Sequence, residues 1–169
     1  MKKLLFLRHG EADHPAPATW GDDSHRPLTA DGVRRMAEEA RGMRNLGLSI
    51  GAIVTSPYVR ARQTADQVAR EYRLIDRIID SEMLEPGGSF RDLVKSLRGI
   101  DEDFVMVVGH APDLGLWTGE LVGAGEVPLG KGWLAVVKVR EEFREGTGRL
   151  WGLFPADVLG AAGRVTAKS

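Results

Sequence analysis

Four residues in this chain combine reactive type with a telling position. Arg8 and His9 directly follow the apolar run Lys3 to Leu7, His110 follows Phe104 to Gly109, and Arg60 lies just beyond Ser56-Pro57 after the short run Ala52 to Val54. Two guanidinium groups and two imidazoles, gathered in one place, suit a phosphoryl group. Guanidinium forks bind phosphate oxygens in pairs and do not deprotonate, so Arg8 and Arg60 would hold a dianion and offset charge developing on its equatorial oxygens. Positioning and charge are most of what phosphoryl transfer requires. A His among guanidinium groups has its protonated form disfavoured by like charge, which leaves a ring nitrogen free to attack phosphorus. His9 fits that nucleophile role.

The elements between these residues explain how they would meet. Lys3 to Leu7 reads as a strand buried on both faces, Ala52 to Val54 as a second, Leu74 to Asp80 as a third, and Phe104 to Val108 as the most strand-like run of all. Helical spacing appears after Thr29, a plausible N-cap, with Val33, Met36, Ala40 and Met43 as the apolar face. It appears again from Ser56-Pro57 to Tyr72, from the turn Pro86 to Ser89 to about Leu97, and from Pro112 to Val122. Asp13 to Pro27 reads as a loop. Trp133 to Val139 and Arg149 to Phe154 are two late strands separated by a polar turn. Strands alternating with helices predict a three-layer α/β/α sandwich with a mostly parallel central sheet, whose ligands bind beyond the carboxyl ends of the strands. Arg8-His9, Ser56 to Arg60 and Gly109-His110 then converge on one sheet edge. Residues 1–159 are expected to form a single catalytic domain and Gly160 to Ser169 a loosely held tail.

Composition narrows the function classes. The 169 residues carry 23 Lys plus Arg against 24 Asp plus Glu, a net charge of −1, and no Cys. That balance argues against a global nucleic-acid field, and the lack of Cys removes thiol catalysis, iron–sulfur clusters and Cys-ligated zinc. Lys2-Lys3 followed by only Leu4 to Leu7 is too short for an export segment, and no run is long enough to span a membrane, so the reading is cytoplasmic. With no Gly-rich phosphate loop, Asp-rich cluster or His/carboxylate pair at helical spacing, no metal or cofactor is expected.

Four blocks carry a family resemblance: Leu7-Arg8-His9-Gly10-Glu11-Ala12, Arg26-Pro27-Leu28-Thr29-Ala30-Asp31-Gly32, Ser56-Pro57-Tyr58-Val59-Arg60-Ala61-Arg62-Gln63-Thr64-Ala65, and Val108-Gly109-His110-Ala111-Pro112-Asp113-Leu114. In this order they resemble the phosphoglycerate mutase-like histidine phosphatase superfamily, and more narrowly its small bacterial phosphohistidine phosphatase branch of the SixA type. The resemblance implies a two-step reaction in which His9 is phosphorylated and water then hydrolyses the phosphohistidine. Arg8, Arg60 and His110 would complete the phosphate pocket, with His110 protonated and donating to the transferred group and Arg26 near the pocket mouth. Larger members carry a general acid after the third strand. Here Glu85 is the better-placed counterpart and Glu82 the second, although an imidazole leaving group needs an acid less than an alkoxide does.

The span Asp80 to Asp103 is 24 residues, already holding a turn and a helix, so the site should be open enough for a phosphorylated side chain on another protein. The expected function is therefore hydrolysis of protein phosphohistidine, with a small-molecule phosphomonoesterase using Glu85 as one alternative and a phosphate-recognition module without turnover as another. Other features have plainer readings. His14 and His25 belong to solvent, and Arg62 to the surface or to a nearby carboxylate. Arg34-Arg35 and Glu38-Glu39 read as i,i+4 pairs on an exposed helix face, and Asp101-Glu102-Asp103 as a solvated turn. Trp117, Trp133 and Trp151 read as core residues, while Trp20 either contacts substrate or covers apolar surface.

Overall fold

The computed structural model describes residues 1–140 and 143–165. In chain order the elements are β1 (Lys2–Arg8), α1 (Pro17–Trp20), α2 (Ala30–Asn45), β2 (Ala52–Thr55), α3 (Val59–Tyr72), β3 (Ile78–Asp80), α4 (Phe90–Ser96), β4 (Phe104–Gly109), α5 (Asp113–Val122), β5 (Leu134–Val139), β6 (Gly148–Phe154) and α6 (Ala156–Arg164). The strands form one sheet in the order β3-β2-β4-β1-β5-β6. Strands β1 to β4 are mutually parallel, and β5 runs antiparallel to both β1 and β6. This is the predicted mostly parallel α/β architecture.

The continuous apolar run of β1 is used on both faces, as a central parallel strand requires. Leu5 and Leu7 pack with Met36 and Met43 of α2, Ala65 of α3 and Leu159 of α6. Leu4 and Phe6 pack on the opposite face with Leu93 of α4 and with Leu114 and Trp117 of α5. Thr29 caps α2 by accepting from the Gly32 amide, and Ser89 with Asp92 forms a reciprocal capping box that opens α4.

The structure corrects several expectations. Only Ile78–Asp80 of the predicted third strand is extended: α3 closes on Arg73 in the left-handed region (φ 59°), and a 3-10 turn at Ile75–Arg77 takes up the next residues. The loop Asp13 to Pro27 contains α1 and a 3-10 turn at Asp23–His25. Trp151 is not a core residue; it is exposed on the outermost strand β6, with the Lys3 and Lys138 ammonium groups 4.7 and 5.2 Å from its ring centre. Gly160 to Arg164 is no loose tail but the last part of α6. Its small residues let α6 touch α2: a Cβ on Gly163 would fall 1.9 Å from the Glu38 carbonyl oxygen. The remainder of the expected tail, residues 166–169, lies outside the described residues, as do Glu141 and Glu142 of the polar turn before β6. Among the described residues no helix is long and apolar enough to cross a membrane.

Helix α2 also departs from its expected charge pairing. Arg34 does pair with Glu38 at 2.8 Å, but Arg35 turns to Asp31 at 2.7 Å and leaves Glu39 buried, its Oε2 without a hydrogen-bond partner. Glu39 lies beneath Gly132, whose amide donates to the carbonyls of Arg8 and His9. Burial pushes its carboxyl up to about 8 from the ordinary 4.5. Between those values the native chain holds a proton that the unfolded chain has released, so this residue's contribution makes stability fall as pH rises through that window. Glu39→Gln should therefore stabilise the protein by about 3 kcal/mol more at pH 8 than at pH 5. Denaturant unfolding of both proteins at the two pH values measures the difference.

Candidate active site

Strands β2, β4 and β1 are adjacent and parallel, so their carboxyl ends deliver Ser56, His110 and His9 side by side. His9 is buried, and its Nδ1 lies 2.8 Å from the Gly10 carbonyl oxygen. A carbonyl only accepts, so Nδ1 carries the hydrogen and Nε2 carries the lone pair. Arg60 Nε donates to that Nε2 at 3.3 Å. Burial, reinforced by the positive charges of Arg60, Arg8 and Arg26, lowers the His9 pKa to about 4. Like charge is the expected reason for an unprotonated ring nitrogen; here burial is the larger cause, and the Nε2 lone pair accepts from Arg60.

His110 lies 5.4 Å from His9 between ring centres, at an interplanar angle of 59°. Its Nε2 shares a 2.9 Å hydrogen bond with the Ser56 hydroxyl, and its Nδ1 is buried without a partner. Burial, then the neighbouring His9 and Arg60, pull its pKa down to about 3. The protonated His110 implied by the family resemblance is therefore not the state this pocket favours by itself. A dianion beside the ring would reverse the balance by favouring the charged form. Tyr58 stands edge-on to His110, with ring centres 5.1 Å apart, and the Arg60 guanidinium carbon sits 5.0 Å from the Tyr58 ring centre.

Arg60 occupies the first turn of α3, where the helix dipole disfavours a cation. Its compensation is Asp23: Nη2 donates to the carboxylate Oδ2 at 2.9 Å and Nη1 to the backbone oxygen at 2.8 Å. Arg26 donates through Nε to Oδ1 of the same carboxylate at 2.9 Å and through Nη1 to the Asp13 carbonyl. Arg8 is anchored by Nη1 to the Leu129 carbonyl at 2.9 Å, and its charge is felt by both imidazoles. The sequence thus brings Arg8, His9, Arg60 and His110 into one pocket with Arg26 at its edge.

The two acid candidates separate. Glu85 is half-buried at the end of the 3-10 turn Glu82–Leu84, and after burial itself its charge is the chief influence holding the Tyr58 phenol above its ordinary pKa. Asp113 pins the following loop by accepting from the Gly87 amide at 2.8 Å. Glu82 is exposed, and among the described residues its carboxylate makes no hydrogen bond or ion pair. His14 and His25 are exposed, Arg62 pairs with Asp66 and Asp80, and Trp20 donates to the His14 carbonyl beside Arg26.

Sequence reasoning leaves Asp23, Ser56, Tyr58 and Thr64 without roles. Thr64 Oγ1 accepts from the Gly10 amide at 3.1 Å and donates to the Arg60 carbonyl at 2.8 Å, tying the His9 loop to α3. Gln63 does the same for the next segment by accepting from the Leu28 amide. The available signals were the Asp-x-x-Arg spacing of Asp23 and Arg26, and the polar residues inside the block that carries Arg60.

Residues 4–110 match the Histidine phosphatase superfamily (branch 1). The chain belongs to that superfamily. An uncharacterised Picosynechococcus protein is 35% identical to this histidine phosphatase over 128 residues, covering 73% of this chain and 74% of that one. The Escherichia coli phosphohistidine phosphatase SixA is 28% identical over 129 residues, covering 75% and 77%. The structure of the protein histidine phosphatase SixA complexed with tungstate superposes with a TM-score of 0.80 at 25% identity, covering 93% of this chain and 99% of that one. With these relatives, the chain is a hydrolase acting on phosphoric bonds.

Proposed function

We propose that this histidine phosphatase removes phosphate from phosphohistidine on a protein, through a phosphoenzyme formed on His9 and without a metal step. The observation that carries the reading is the fixed tautomer of His9: Nδ1–H is bound to the Gly10 carbonyl and the Nε2 lone pair is held by Arg60 at the pocket. In the first step a bond forms from Nε2 to phosphorus as the substrate's P–N bond breaks. In the second, water attacks the same phosphorus and Nε2 leaves. Arg8 and Arg60 hold the phosphoryl oxygens, Arg26 stands at the mouth, and His110 takes up a proton as the dianion arrives and donates to it. The similarity to SixA proteins and the short Asp80 to Asp103 connection, which holds only a 3-10 turn and α4 as further structure, support a large, protein-borne substrate.

The Glu85 charge felt by Tyr58, which stands beside His110, favours a second reading, a phosphomonoesterase with Glu85 protonating an alkoxide. Glu85→Gln, assayed with EDTA present on a phosphohistidine-bearing protein and on a panel of small phosphate esters, separates the two. The expected result is phosphohistidine turnover within about threefold of the unaltered enzyme, since imidazole leaves without strong acid assistance. Preference for an ester, lost by one hundredfold or so in the variant, would select the monoesterase instead. Phosphate binding with no turnover of any substrate would select the recognition module.

A further inference from the structure

We infer that Asp23 is an internal anion that guards Arg60 and Arg26, so that the pocket admits dianionic phosphoryl groups and turns away monoanions. The inference rests on the reading of this pocket as a phosphate site. Both terminal nitrogens of Arg60 are committed to Asp23, one to its carboxylate and one to its backbone oxygen, and the same carboxylate takes Arg26 Nε. Despite the opposing effect of burial, the Arg26 and Arg60 guanidinium groups hold the Asp23 carboxyl below its ordinary pKa, so it stays charged at neutral pH.

The two partners differ in exposure. The Arg60 side chain is 5% exposed, whereas that of Asp23 is 51% exposed and borders on water into which it can turn. The turn itself does not depend on this carboxylate, because Asp22 caps it by accepting from the Ser24 amide. An incoming anion therefore exchanges with Asp23 at a buried fork. A monoanion, such as a phosphodiester or a carboxylate, only replaces one negative charge with another and gains little. A dianion brings a second charge and a third oxygen to a pocket that also holds Arg8 and the two imidazoles, and displaces the carboxylate. Asp23 thereby sets the charge specificity of the site.

Calorimetric titration at pH 8 with inorganic phosphate and with dimethyl phosphate tests this. The unaltered protein should bind phosphate and leave dimethyl phosphate unbound. Asp23→Asn should bind phosphate about tenfold more tightly, as expected for removing a charge-assisted competitor, and should bind dimethyl phosphate measurably; Asp23→Ala should behave alike. Asp22→Asn, which removes the same charge from the same turn without touching Arg60, should change either affinity by less than about twofold. Equal or weaker phosphate binding by both Asp23 variants would overturn the inference, as would an equal gain in Asp22→Asn. Phosphate binding that is absent from the unaltered protein, or that persists unchanged in Arg60→Ala, would instead overturn the reading of the pocket.

Discussion

His9→Ala should lose turnover by at least about a thousandfold, because the nucleophile of a covalent mechanism has no substitute among its neighbours. His110, the other imidazole, has Nε2 engaged with Ser56, and its ring centre lies 5.4 Å from that of His9. A water replacing the lost ring would face the phosphoryl group without the covalent partner that divides the reaction into two steps. The loss should fall on kcat, since Arg8 and Arg60 remain to bind phosphate. Brief exposure of the unaltered enzyme to radiolabelled substrate, quenched in alkali, should leave a label on the protein that survives base and is released by acid, as a phosphoramidate is. His9→Ala should carry no such label. A variant that keeps a tenth of the activity would show that another group performs the attack.

Much of this site is legible in the sequence, for one physical reason. Central parallel strands are buried on both faces, so Lys3 to Leu7 and Phe104 to Val108 stand out as uninterrupted apolar runs, and the polar residues directly after them must lie at the sheet's carboxyl edge. Asp23 escapes the same logic. It sits 37 positions from Arg60 in a loop whose path no periodicity records, and its meaning arises only when that loop folds back over α3. Helix α6 escapes because Gly163, which reads as part of a flexible end, is the residue that allows close contact with Glu38 and Gly42 of α2. Glu39 escapes because i,i+4 spacing does not say which of two carboxylates an arginine will choose; Arg35 chooses Asp31. The charge state of His110 is a property of its burial, which the motif around it does not encode.

Arg60→Lys should reduce kcat by about 100- to 1,000-fold, the usual consequence of losing a preorganised donor to developing negative charge, while KM changes by less than about tenfold because the positive charge is kept. The argument lies in the three nitrogens. Nε holds the His9 Nε2 lone pair at 3.3 Å, and the two terminal nitrogens form the fork now bound by Asp23, which phosphate oxygens would take over. A lysine ammonium offers donors from one point and cannot aim the nucleophile and clasp two oxygens at once. The side chain is buried, and its contacts to His9 and Asp23 come from separate nitrogens of one guanidinium, so a single ammonium cannot recover both. Arg62→Lys provides the comparison: two residues further along α3, paired at the surface with Asp66 and Asp80, it should stay within about twofold of the unaltered enzyme. Steady-state kinetics on both variants decide the matter. If Arg60→Lys kept more than a tenth of kcat, positive charge alone would suffice at this position, and the alignment of His9 would have to come from its Gly10 hydrogen bond.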